Sequence, residues 1–96
     1  MIKISPVRGS GAVKVSFVLP VEMQAAGVAG EFNGWDAQAA PFKKRTNGTR
    51  SAVVTLPEGT AFRFRYVGAD GTWFNDETAP AYVENGFGST DCVLTT

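Results

Sequence analysis

Glycine and proline recur along this chain at intervals of roughly eight to twelve residues, and the stretches between them are rich in Val, Phe, Thr and Tyr. Eleven glycines and five prolines leave no segment with a sustained helical period. Short β-prone runs separated by turn residues are the pattern of an all-β sandwich or barrel. The clearest run is Ala12 to Leu19, where Val13, Val15, Phe17 and Leu19 alternate with Lys14, Ser16 and Val18. Successive strand side chains point to opposite faces, so the first set faces the core. Further strands are expected over Ala25 to Phe32, Pro41 to Lys44 (an edge, where proline is tolerated), Arg50 to Leu56, Thr60 to Val67, Thr72 to Phe74 and Asp91 to Thr95. Asn33-Gly34, Asn47-Gly48, Pro57-Glu58-Gly59, Asp70-Gly71 and Asn85-Gly86 supply the turns. The expectation is one sandwich domain of about seven strands over residues 1–96, with no linker or repeat.

Composition removes whole classes of function. Nine Lys+Arg balance nine Asp+Glu, so no basic excess argues for nucleic acid or an anionic membrane as partner. With no histidine, Ser-His-Asp and Cys-His catalysis are excluded, and the commonest metal ligand is missing. Cys92 is the only cysteine, so no internal disulfide can form and a thiolate zinc site lacks partners. No cofactor is expected. The N-terminus carries no apolar run of signal-peptide length, and no stretch approaches a membrane span. The reading is a soluble, cytoplasmic protein. Asn47-Gly48-Thr49 is then a turn and not a glycosylation site.

The informative residues are aromatics outside the alternating core pattern. Trp35 follows Asn33-Gly34, Trp73 lies two residues beyond Gly71, and Phe87 sits between two glycines. Exposed aromatic clusters mark binding surfaces, and a flat ring with an electron-rich face suits the C–H-lined face of a sugar. Along Thr60 to Val67, Phe62, Phe64 and Tyr66 share one face and Arg63, Arg65 and Val67 the other. Arg65 there offers a planar fork of donors to hydroxyl groups. Asp36, Asp70, Asp76, Glu77 and Asp91 lie in or near loops, where Asp is ordinarily turn chemistry. A hydrolase needs two carboxylates across a cleft, which spacing in sequence does not establish, so no catalytic residue is assigned. The basic run Lys43, Lys44 and Arg45, with Arg50, could touch an anion, but the favoured reading is the solvated charges of an edge strand.

Gly30-Glu31-Phe32-Asn33-Gly34-Trp35-Asp36 is similar to the G-x-F-N-x-W signature of family 48 carbohydrate-binding modules. That family includes the glycogen-binding domain of the AMP-activated protein kinase β subunit and the early-set N-terminal domains of isoamylases and branching enzymes. Leu56-Pro57-Glu58-Gly59 resembles its L-P-x-G turn, Phe62 to Tyr66 its aromatic strand, and Asp70-Gly71-Thr72-Trp73 its D-G-x-W. Asn85 to Leu94 resembles its last loop and strand, so the likeness runs from about Lys14 to the end. The resemblance implies an immunoglobulin-like (early-set) β-sandwich that binds α-1,4-glucans such as glycogen or starch. It implies that Trp35 and Trp73 stack on glucose units, Phe87 packs against the sugar, and Arg65, in place of the usual Lys, bonds hydroxyls. Ser89 and Asp91 take the places of a hydroxyl residue and an Asn; at Asp91 an amide donor gives way to an acceptor-only carboxylate. Phe32, Phe64 and Tyr66 are left to the core.

Two functions remain on these residues. One is non-catalytic binding of glucan. The other is docking of a protein partner, such as a glycogen-metabolising enzyme, by the same aromatic and Arg anchors.

Overall fold

A computed structural model describes residues 2–9, 11–86 and 88–96. Among them are nine strands: β1 (Ile2–Val7), β2 (Ala12–Pro20), β3 (Ala25–Gly30), β4 (Lys43–Lys44), β5 (Thr49–Pro57), β6 (Ala61–Gly68), β7 (Trp73–Phe74), β8 (Ala81–Glu84) and β9 (Thr90–Thr95). One sheet has the order β1-β2-β5-β4 and the other β3-β6-β9-β8, with β7 on a free stretch of β6. Every strand pair is antiparallel. This is the all-β, immunoglobulin-like sandwich expected from the sequence. No helix among the described residues is long and apolar enough to cross a membrane.

The core follows the alternation. Val13, Val15, Phe17 and Leu19 are buried from β2, and Phe64 and Tyr66 from β6. Phe17 meets Phe64 at 5.0 Å between ring centroids and Tyr66 edge-on at 6.1 Å, so one ring from the first sheet packs against two from the second. The Tyr66 hydroxyl would be costly to bury alone; it donates to Asp76 Oδ2 at 2.5 Å. Thr78 also binds Asp76, through its amide and hydroxyl, both at 2.7 Å. Asp76 is thereby tied down in the irregular segment after β7.

Two strands exceed the expected seven. β1 lacks a buried face over most of its length, and β8 is only four residues long. Both are sheet edges whose extended form comes from a single neighbour, β2 or β9. The expected strand over Ala25 to Phe32 stops at Gly30, and Glu31–Asn33 form a 3-10 turn. Phe32 still packs on the core, stacked on Phe17 at 6.2 Å and edge-on to Phe62 at 5.9 Å. A Cβ at Gly30 would stand 2.6 Å from the Phe32 ring, so this fold-back needs glycine. The edge strand expected from Pro41 is confined to Lys43–Lys44. Upstream, Val28 N donates to Ala40 O at 3.0 Å and Phe42 N to Ala26 O at 2.9 Å. The chain therefore leaves the edge of one sheet and joins the edge of the other within a few residues.

Candidate functional site

The outer face of β6 points away from the core because Phe64 and Tyr66 point into it. Arg63 and Arg65 therefore stand on the outside of the second sheet. Trp73 opens β7 and pairs with Val67, on the same outer face. From β9, Asp91 adjoins the core-facing Cys92, which pairs with Phe64, so Asp91 lies on the outer side beside Arg65. Trp35 arrives from the turn after β3 and completes the group.

A cleft of about 640 Å³ lies over this face, lined by Glu31, Trp35, Arg63, Arg65, Trp73, Asn85, Ser89 and Asp91. The two indoles have centroids 6.4 Å apart and planes inclined at 40°. Trp35 is 37% and Trp73 42% exposed, which is high for a residue that is heavily buried on average. They form an open, bent ledge along one wall.

The position of Trp35 has a local cause. Its φ is +63°, directly after Gly34 at +65°. A bulky residue seldom adopts the left-handed region, and here the surrounding bonds impose it. The Asn33 side chain accepts from Gly30 N (3.0 Å) and Asp36 N (3.2 Å) and donates to Val28 O (2.9 Å). Trp35 N donates to Gly30 O at 2.9 Å. Asn33 thus caps the end of β3 and turns the backbone so that the indole leaves the sheet. Glu31 closes the same strand end, its carboxylate accepting from Arg63 N at 2.6 Å.

The polar groups are held as firmly. Arg65 Nε donates to Asn75 Oδ1 at 2.8 Å, and Asn75 Nδ2 in turn donates to Thr90 O (3.0 Å) and Oγ1 (2.9 Å). This bridge from β7 to β9 fixes the guanidinium plane and leaves its terminal nitrogens for the cleft. Asp91, only 6% exposed, accepts from Asn85 Nδ2 at 3.2 Å. Asn85 N also donates to Ser89 O at 3.1 Å, which closes the loop bearing Ser89.

Five of the six residues singled out from the sequence therefore line one cleft: Trp35, Arg65, Trp73, Ser89 and Asp91. Phe87 lies outside the described residues. Sequence reasoning missed Glu31, Arg63 and Asn85 as lining groups and Asn75 as the support of Arg65. Arg63 was within reach, since it shares the outward parity of Arg65. Asn75 carries no local signal, because its partners lie on two other strands. No family model matches the chain, and no curated protein matches it.

Proposed function

We infer that this chain is a non-catalytic binding module for α-1,4-glucan, of the family 48 type. The observation that carries the reading is the Trp35–Trp73 ledge, two exposed rings 6.4 Å apart above a cleft edged by hydrogen-bonding groups. Each indole covers the apolar face of one glucose unit. The 40° between them favours a curved chain. Consecutive α-1,4 units turn relative to one another, whereas a β-1,4 chain runs straight and needs coplanar platforms. Arg65 donates to ring hydroxyls through the ends of its fixed fork. Asp91 accepts from hydroxyls, so the acceptor-only carboxylate selects the donor side of the same groups. The cleft is shallow, sugars are costly to desolvate, and affinity is modest. The ligand is uncharged, so binding varies little with salt.

Titration calorimetry with maltoheptaose tests this, beside retardation in a glycogen-containing native gel. Binding is expected for the wild type, with a loss of tenfold or more, about 1.4 kcal/mol, in Trp35→Ala and in Trp73→Ala. A straight cello-oligosaccharide is expected not to bind. Heat of dilution alone with maltoheptaose, together with no retardation by glycogen, refutes the reading and leaves the face to a protein partner.

A further inference from the structure

The neutral chain is divided into oppositely charged segments. Residues 2–21 and 37–57 contain all four strands of the β1-β2-β5-β4 sheet. They hold Lys3, Arg8, Lys14, Lys43, Lys44, Arg45 and Arg50, seven of the nine cations, and none of the nine carboxylates. The zero net charge is thus an average over chain segments of opposite charge. It is no argument against a face that recognises anions.

The register identifies what the outer surface of this sheet presents. Burial of Val13, Val15 and Phe17 turns Lys14, Ser16 and Val18 outward. Lys14 pairs with Ser5 and Thr55, Ser16 with Lys3 and Val53, and Val18 with Ser51, which pairs with Lys43. Cations and hydroxyls therefore share the face, and no strand residue supplies a competing acid.

At the β4 side of that face is a hollow of about 210 Å³ lined by Pro41, Lys43, Arg45, Ser51 and Val53. Lys43 and Arg45 are both exposed, but Arg45 is held in place. Arg45 N donates to Thr49 O at 2.7 Å, and Arg45 Nε donates to Ser51 Oγ at 2.6 Å. Ser51 is itself only 7% exposed. The guanidinium is pinned edge-on, with its two terminal nitrogens unpartnered among the described residues, and the Lys43 ammonium lines the same hollow. Charged edges protect sheets from pairing with other chains, and Lys44 needs no further explanation. That protection requires neither an arginine fastened to a buried serine nor the absence of carboxylates from the inner strands β2 and β5.

We propose that the outer face of the β1-β2-β5-β4 sheet is a phosphate-binding surface, with its anchor in the hollow between Lys43, Arg45 and Ser51. The ligand class is a phosphate monoester. It carries about −1.5 to −2 charges near neutral pH and three strong acceptor oxygens. A planar fork takes two oxygens and a point charge the third. Lys3 and Lys14, on the far strands of the face, steer the anion toward the hollow. The site is on the opposite side of the sandwich from the aromatic cleft and stands independently of what that cleft binds.

The test is titration of the isotope-labelled full chain with inorganic phosphate, ionic strength held constant with sodium chloride, read by amide chemical shifts. Saturable shifts at Lys43, Arg45 and Ser51 are expected, weakening several-fold between about 50 and 200 mM salt. Lys43→Glu/Arg45→Glu is expected to weaken binding at least tenfold, with amide shifts elsewhere unchanged. The milder Arg45→Lys keeps the charge, loses the fork, and is expected to bind several-fold more weakly. Glucose 6-phosphate and vesicles containing a phosphatidylinositol phosphate then separate a soluble sugar phosphate from a lipid headgroup as the source, and shifts in the hollow with either support the site. Shifts that grow linearly without saturation, that sodium chloride alone reproduces, or that persist undiminished in both variants overturn it.

Discussion

Trp35 exposes a trade between stability and function that two substitutions separate. Its backbone is left-handed, at φ +63°, in a turn held by the Asn33 side chain and by the Trp35 N to Gly30 O bond. For an L-residue that conformation costs about 1–2 kcal/mol, and for glycine it costs almost nothing. Trp35→Ala deletes the ring and keeps the strain. Trp35→Gly deletes the ring and relieves the strain, less about 0.4–1 kcal/mol for the greater freedom of glycine in the unfolded chain. The glycine variant is therefore expected to be more stable than the alanine variant by about 0.5–1 kcal/mol. Loss of the ring contact with Trp73, 6.4 Å away, takes about 0.5–1.5 kcal/mol from both. The expected order is wild type close to Gly, and Ala below them. In a domain of this size the gap between Gly and Ala is about 2–8 °C in Tm, within reach of thermal and urea unfolding. Maltoheptaose calorimetry on the same samples is expected to show binding lost equally in both. An alanine variant as stable as the glycine variant would show that the turn carries no strain, and the account of how Trp35 is lifted from the sheet would fail.

Three further outcomes follow from the geometry. Burial opposes ionisation of Asp76, but hydrogen bonds from Tyr66 and Thr78 outweigh it and hold its carboxyl below the ordinary range. A depressed folded value adds stability above the unfolded value of about 3.9, lost as pH falls through the folded value. Asp76→Asn is thus expected to lower stability near neutral pH and to flatten its loss in acid, read by urea unfolding at a series of pH values. A Cβ at Gly27 would stand 2.1 Å from Ala37 O, so Gly27→Ala is expected to cost about 2–3 kcal/mol in urea unfolding by displacing the Ala37–Ala39 turn; a neutral result would contradict that packing. Burial pushes the Cys92 thiol up to about 11, and its side chain is fully enclosed. Iodoacetamide is expected to label it only through opening of the fold, and rapid labelling of the folded protein would refute its burial.

The interior was legible because strand parity is a local property. A residue and its second neighbour share a face, so Phe64 and Tyr66 inward and Arg63 and Arg65 outward could be read from a handful of adjacent positions. Asn33-Gly34 likewise announced a turn. β1 and β8 escaped notice because an exposed edge has little apolar contrast, and its extended form is supplied by a neighbour's hydrogen bonds. Asn75 escaped because its significance lies in reaching Arg65 on one strand and Thr90 on another.

What the sequence by itself determined was the repertoire: short strands, their inward and outward sides, the turns between them, and a neutral total charge. The tertiary structure alone decided which outward residues meet. It brought Trp35 within 6.4 Å of Trp73 and put Asp91 in their cleft. It also left the four strands of one sheet with five cations and no carboxylate, in a chain whose charges sum to zero. The reason is physical. Alternation along a strand is dictated by covalent geometry over a few residues, whereas neighbours across a sheet are selected by packing and pairing between segments far apart in the chain.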